Sequence, residues 1–271
     1  MSDFIKPEDY TEAVCPLCDP NKIKRIDTRR MTEKEDEYLS RNDYPGAERH
    51  LKYWLAEAMH YGDGRGMLAV QNELMGLFRK TARRAEALEA AQAALALIQT
   101  EGMENTLTAG TTFLNAATVY KAFDMAEKAM PLYRRAQALY EESLDPRDDR
   151  LAGLYNNMGL ALTDLGEYRE AEEAFRKAMK IMHENDGNLE EAITCLNWAS
   201  AVEAEKGLEA GSDAIGDLTR KAMELIESSR APQNGYYAFV CEKCAPVFGY
   251  YGYFRYEKEL SERARKIYER A

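Results

Sequence analysis

Apolar positions along this chain recur at helical spacing, three and four residues apart, and no segment shows the two-residue alternation of a strand. The clearest stretch runs from Leu154 to Met179, LYNNMGLALTDLGEYREAEEAFRKAM. Small residues Gly159, Gly166, Ala171 and Ala178 stand where two helices must touch. Tyr155, Leu162, Tyr168 and Phe175 supply the bulk between them. Polar residues fill the remaining positions, so the pattern predicts two amphipathic helices joined by a turn at Gly166.

The pattern repeats. Phe113, Ala116, Ala117, Tyr120, Ala129, Tyr133 and Ala136 lie 42 residues before Tyr155, Met158, Gly159, Leu162, Ala171, Phe175 and Ala178. A further step of 42 reaches Gln71, Leu74, Met75 and Phe78, then Ala87, Ala91 and Ala94. Before these, NDYPGAERHLKYWLAEA sets Tyr44, Ala47, Leu51 and Trp54 on a second-helix pattern of a degenerate first unit. Downstream, TCLNWASAVEAE and SDAIGDLTRKAMELI make a fifth unit, expected to have a longer turn between its helices. Residues 236–271 make a sixth. Breaks between units fall at Leu144–Asp149, Asn185–Asn188 and Ala231–Gly235, where Pro, Gly and acidic residues stop one helix or start the next. Gly62–Gly66 reads as the linker between the first and second units, since it lacks the strand and the Lys–Ser/Thr of a phosphate loop.

These small and large residues resemble the tetratricopeptide repeat (TPR), most closely in the fourth unit. The resemblance implies an all-α, right-handed α-solenoid of about six helix–turn–helix repeats over residues 28–271, with residues 1–27 as an N-terminal tail. A unit of this kind cannot bury its apolar face alone, so neighbours stack and leave a concave surface. The expected activity is binding of a peptide or protein segment, as an adaptor or sensor, without catalysis. Three histidines, His50, His60 and His183, are scattered with no candidate nucleophile beside them.

Asparagine recurs within the predicted first helices, at Asn72, Asn115, Asn156, Asn157 and Asn197. It is a mediocre helix former, so its recurrence asks for a reason. In peptide-binding TPR arrays asparagines line the groove and hydrogen-bond the peptide backbone, which the amide suits by donating and accepting at once. The resemblance thus implies a site at Asn72, Asn115, Asn156, Asn157 and Asn197. Asn115, Asn157 and Asn197 fall in one register and Asn72 one residue off it. Lys121, with Arg79 and Lys80 one unit earlier, could meet carboxylates of the peptide. The other reading is that these amides tie neighbouring helices together.

Four of the five cysteines form two CxxC pairs, Cys15–Cys18 and Cys241–Cys244. Joined, they would make a four-sulfur zinc site, a structural cofactor clasping the two ends of the array. Against this stand the 222 residues between Cys18 and Cys241. Alternatives are a thiol–disulfide switch, or Cys241 and Cys244 as small apolar residues on one helical face. Cys195 reads as a buried helix residue. If zinc joins the ends, the tail from Phe4 to Pro20 would fill the groove, and the protein would be structural or oligomerising.

Rings crowd the C-terminal unit from Tyr236 to Tyr256, either as its core or as a homo-oligomer contact. Pro246 is expected to kink or end its helix, and Gly249 and Gly252 to form the following turn. A net charge of −11 argues against nucleic acid, which calls for a basic face. No apolar run approaches the roughly 20 residues of a membrane span, and MSDFIKPEDY lacks signal-peptide character, so a cytoplasmic location is expected.

Overall fold

The computed structural model describes residues 24–270. They form helices only, in consecutive antiparallel pairs, the α-solenoid class expected. The helices are α1 (Thr28–Ser40), α2 (Tyr44–Tyr61), α3 (Gly64–Lys80), α4 (Arg84–Thr100), α5 (Leu107–Ala122), α6 (Ala126–Ser143), α7 (Asp149–Asp164), α8 (Tyr168–Glu184), α9 (Asn188–Ser228), α10 (Gly235–Tyr250) and α11 (Phe254–Tyr268). The chain divides into two compact units at Asp145/Pro146.

In the first unit α1–α2, α3–α4 and α5–α6 are the pairs, and α3 also packs against α2 and α5. Ala87, Ala91 and Ala94 of α4 are fully buried, as are Ala129, Tyr133 and Ala136 of α6, at the positions the small/large pattern marks. The degenerate first unit has a complete first helix, α1, although it buries only Met31 and Glu35. Asp27 caps it by accepting from the Arg30 N–H at 2.9 Å. Gly62–Gly66 is not all linker, because α3 begins at Gly64. Gly64 and Gly66 serve close approach instead. A Cβ at Gly64 would lie 2.2 Å from the Glu101 carboxyl, and one at Gly66 would meet Asp63 and Ile26.

In the second unit α7–α8 and α10–α11 are pairs, and α9 packs on α7, α8 and α10. Gly159 takes the buried face of Phe175, whose ring atoms lie 2.6–2.8 Å from where a Cβ would stand. The fifth unit departs from expectation. Its two helices are both within α9, bent back on one another at the single residue Gly207 (φ 77°, ψ 166°), with no longer turn. The arms, residues 188–206 and 208–228, meet through Ala199, Val202 and Ile215. Pro246 does not end α10, which continues to Tyr250. Pro246 and Glu242, one turn earlier, both face solvent, so water can serve the carbonyl that proline leaves without a donor.

The five other turns within pairs share one geometry. Each spans three residues, and the central one is left-handed: Asn42 (φ 55°), Ala82 (55°), Asp124 (61°), Gly166 (76°) and Gly252 (88°). The residue after it then gives its N–H to a carbonyl five positions back, as Glu167 does to Leu162 at 2.9 Å and Tyr253 to Phe248 at 2.9 Å.

Candidate peptide-binding faces

The asparagines singled out in the sequence meet across neighbouring first helices. In the first unit, Asn115 of α5 donates Nδ2–H to Asn72 Oδ1 of α3 at 2.8 Å. Asn72 donates in turn to the Leu68 carbonyl at 2.9 Å and to Thr112 Oγ1 at 3.1 Å. It is 3% exposed, so this amide is spent on joining helices. In the second unit, Asn197 of α9 donates to Asn156 Oδ1 of α7 at 2.9 Å. Within each unit the downstream amide gives its N–H to the upstream oxygen. The bonded register therefore runs through Asn156 where sequence spacing favoured Asn157, and Asn72 belongs to it despite its offset.

What remains of each amide differs. Asn115, Asn156 and Asn197 are half-buried. Asn115 and Asn197 have committed Nδ2 and retain an accepting Oδ1; Asn156 has committed Oδ1 and retains a donating Nδ2. Asn157 is half-buried on α7 next to this pair. Lys121 lies in the last turn of α5, where a cation complements the carbonyl end of the helix. Arg79 and Lys80 end α3, and Lys80 Nζ stands 5.2 Å from the Tyr44 ring centroid. Arg79 has exposed surface, but protein packed around its guanidinium desolvates the charge and draws its pKa below the ordinary arginine value.

Sequence reading missed the carboxylates of these helices. Glu35 of α1 is 4% exposed, and its pKa is pushed up to about 9, first by burial and then by the neighbouring Glu73 and Asp36. Nothing in the charged run TEKEDEY distinguishes it. In the second unit Glu203 accepts from both Tyr250 and Tyr251, the latter at 2.9 Å, and Glu190 accepts from Tyr236 at 2.6 Å. The ring-rich C-terminal unit was the visible signal for these bonds. Tyr237, Phe248 and Tyr256 are core residues there, whereas Tyr250 (64% exposed) and Phe254 are on the surface.

Of the two CxxC pairs, Cys15 and Cys18 lie outside the described residues. Cys241 and Cys244 are buried in the core formed by α9, α10 and α11, among Ala238, Phe248 and Leu260. Burial pushes the Cys244 thiol up to about 12 and raises that of Cys241 as well. Metal ligation requires thiolates, which this apolar setting disfavours. Among the described residues no three His, Cys, Asp or Glu side chains are grouped to hold a metal. Cys195 is fully buried, as expected. No helix among the described residues is long and apolar enough to cross a membrane.

Residues 108–184, spanning α5 to α8, match the tetratricopeptide repeat family. Those residues carry tetratricopeptide repeats. Its fold is similar to BtubC (BKLC) from P. vanneervenii, with a TM-score of 0.63 at 18% identity over 75% of this chain and 83% of that one. It is also similar to a putative kinesin light chain of Podosopora anserina with nearly identical TPR-like repeats, with a TM-score of 0.52 at 17% identity over 74% of this chain and 94% of that one. Identities this low establish the fold and leave the partner open. Comparison with curated proteins gave no match.

Proposed function

We propose that the TPR array is an adaptor that binds an extended peptide or protein segment along its first helices. Tetratricopeptide repeats generally mediate protein–protein contact. The observation that supports a peptide in particular is the pair Asn156 and Asn197. The bond between them leaves one donor, Asn156 Nδ2, and one acceptor, Asn197 Oδ1, on adjacent first helices. An extended backbone presents C=O and N–H in alternation and can satisfy both. In the first unit Asn115 Oδ1 offers a further acceptor. Asn72 is excluded from contact by its burial. The reading assigns no catalysis.

The test is a synthetic peptide array screened with the full chain, followed by affinities for the bound sequences. Asn197→Ala should weaken them about tenfold, while the thermal transition moves by only a few degrees. Unchanged affinity in that variant would overturn the assignment.

A further inference from the structure

Gly207 separates two antiparallel helices without a loop. The other five turns within pairs spend three residues and place a left-handed residue at the centre. Gly207 instead has φ 77° and ψ 166°, a region open to glycine and essentially closed to residues with a Cβ. Its flanks carry no breaker. Ala204-Glu205-Lys206 precede it and Leu208-Glu209-Ala210 follow, all residues that favour helix apart from the glycine itself. The second arm of α9 follows a glycine, which has no side chain to cap it, and shares this lack of a side-chain cap with the second helices α4, α6, α8 and α11. Only one residue's dihedrals distinguish the bent α9 from a straight helix of 41 residues, about 60 Å long.

We propose that this chain exchanges its C-terminal segment, residues 208–270, with a second copy of itself, using Gly207 as the hinge. When Gly207 turns helical, the second arm leaves its own first arm and a matching surface is vacated on each chain. That surface is Ala199, Val202 and Trp198, together with Leu189, Ala192, Cys195 and Leu196, which share a core with the departing segment. A second copy's second arm fits it by construction, since Ile215, Leu218 and Gly211 already pack there within one chain. Exchange re-forms every contact between the arms and changes only the hinge, which is the condition that favours domain swapping. It would also rebuild shared features of the fifth and sixth repeats from two chains. Glu203 would receive the second copy's Tyr250 and Tyr251. The cleft of about 280 Å³ between α8 and the two arms would be lined by Trp198 and Val202 of one chain and Ala214 and Leu218 of the other. Leu208, 51% exposed beside the hinge, would lie mid-helix in the straightened α9.

The experiment follows mass and connectivity together. Val202 Cγ1 lies 3.1 Å from where a Gly211 Cβ would stand, so a Val202→Cys/Gly211→Cys pair can form a disulfide between the arms. In the full chain that disulfide closes within one molecule when α9 is bent and between two molecules when segments are exchanged. The protein is refolded at low and high concentration, oxidised, sized by light scattering, and mapped by mass spectrometry to separate this bridge from native thiols. Gly207→Ala, which removes access to the bent conformation and favours helix, should raise the dimer fraction at least about tenfold, with the bridge running between chains. Replacing Gly207 by a three-residue Asn-Gly-Asp turn should abolish dimer. A monomeric Gly207→Ala protein, or a dimer with the bridge within each chain, overturns the proposal. Should Gly207→Ala fail to fold, the parent sequence refolded at high concentration decides: an interchain bridge supports exchange, and its absence rejects it.

Discussion

Glu35 in the first unit and Glu203 in the second both sit on first helices, but in contrasting company. Glu35 is enclosed beside Glu73 and Asp36, and its environment favours the protonated acid. Glu203 stays half-exposed and takes hydroxyls from Tyr250 and Tyr251, while Glu227 on the second arm of α9 accepts from Tyr256 at 2.6 Å and Arg263 at 2.8 Å. Arg263 and Tyr256 hold the Glu227 carboxyl below the usual range against the opposing effect of its burial. The same repeat thus places carboxylates in two regimes. Donors from α11 hold the Glu227 acid charged, whereas burial first, and then Glu73 and Asp36 beside it, drive Glu35 neutral. The asparagine bond between first helices is common to both units and is independent of this difference.

The contrast can be broken at its packing. Phe175→Ala, deleting a fully buried ring of the second unit, should cost about 4 kcal/mol by chemical denaturation. Gly159→Ala pushes a methyl into that ring and should cost about 1–3 kcal/mol. The first unit already has Ala117 at this position opposite Tyr133, so Ala117→Gly there should cost only about 1 kcal/mol. Equal effects at the two sites would mean the units pack alike despite Gly159.

The titration comes next. The folded pKa of Glu35, about 9, lies above the unfolded value of roughly 4.3, so between them the folded chain keeps a proton that the unfolded chain releases. Stability should fall as pH rises from about 4.5 to about 9 and level off above. Glu35→Gln should remove that slope, of about 1.4 kcal/mol per pH unit for one proton, and gain about 4 kcal/mol at pH 8 relative to pH 5, measured by urea unfolding at both pH values. Tyr251→Phe in the second unit should leave the slope intact. A Glu35→Gln protein with an unchanged slope would show that Glu35 is charged when folded.

Smaller effects sharpen the asparagine comparison. Asn72→Ala leaves Asn115 without its buried acceptor and should cost about 1–3 kcal/mol, whereas the half-buried Asn156→Ala should cost about 1 kcal/mol or less. The smallest change is Tyr250→Phe. The hydroxyl bonds Glu203 at an exposed site, so urea unfolding should show no measurable loss.

Much of this was legible in the chain. The 42-residue recurrence of small and large residues located both helices of the second, third and fourth units, because helix contact demands Ala or Gly at fixed places. It under-read α1, whose buried face consists of Met31 and an acid that pattern reading assigns to solvent. It also misjudged the fifth turn, since Gly207 amid strong helix formers gives no cue to a reversal. The asparagines were visible as a set, but helical spacing cannot tell an amide facing a ligand from one facing the next helix. The distinction came from Thr112 and from Asn72–Asn115, contacts made across about 40 residues of sequence.

The left-handed residue at the centre of each three-residue turn bears on how such a chain tolerates change. Asparagine, alanine, aspartate and glycine all occupy that place here, and Ala82 does so with no side-chain hydrogen bond to offset the unfavourable backbone. Ala82 therefore stands as the natural entry for directed improvement: glycine or asparagine there would settle the turn while touching neither the core nor the first-helix faces. A scaffold whose reversals can be tuned apart from its helix-packing faces can gain robustness without redesign of its core.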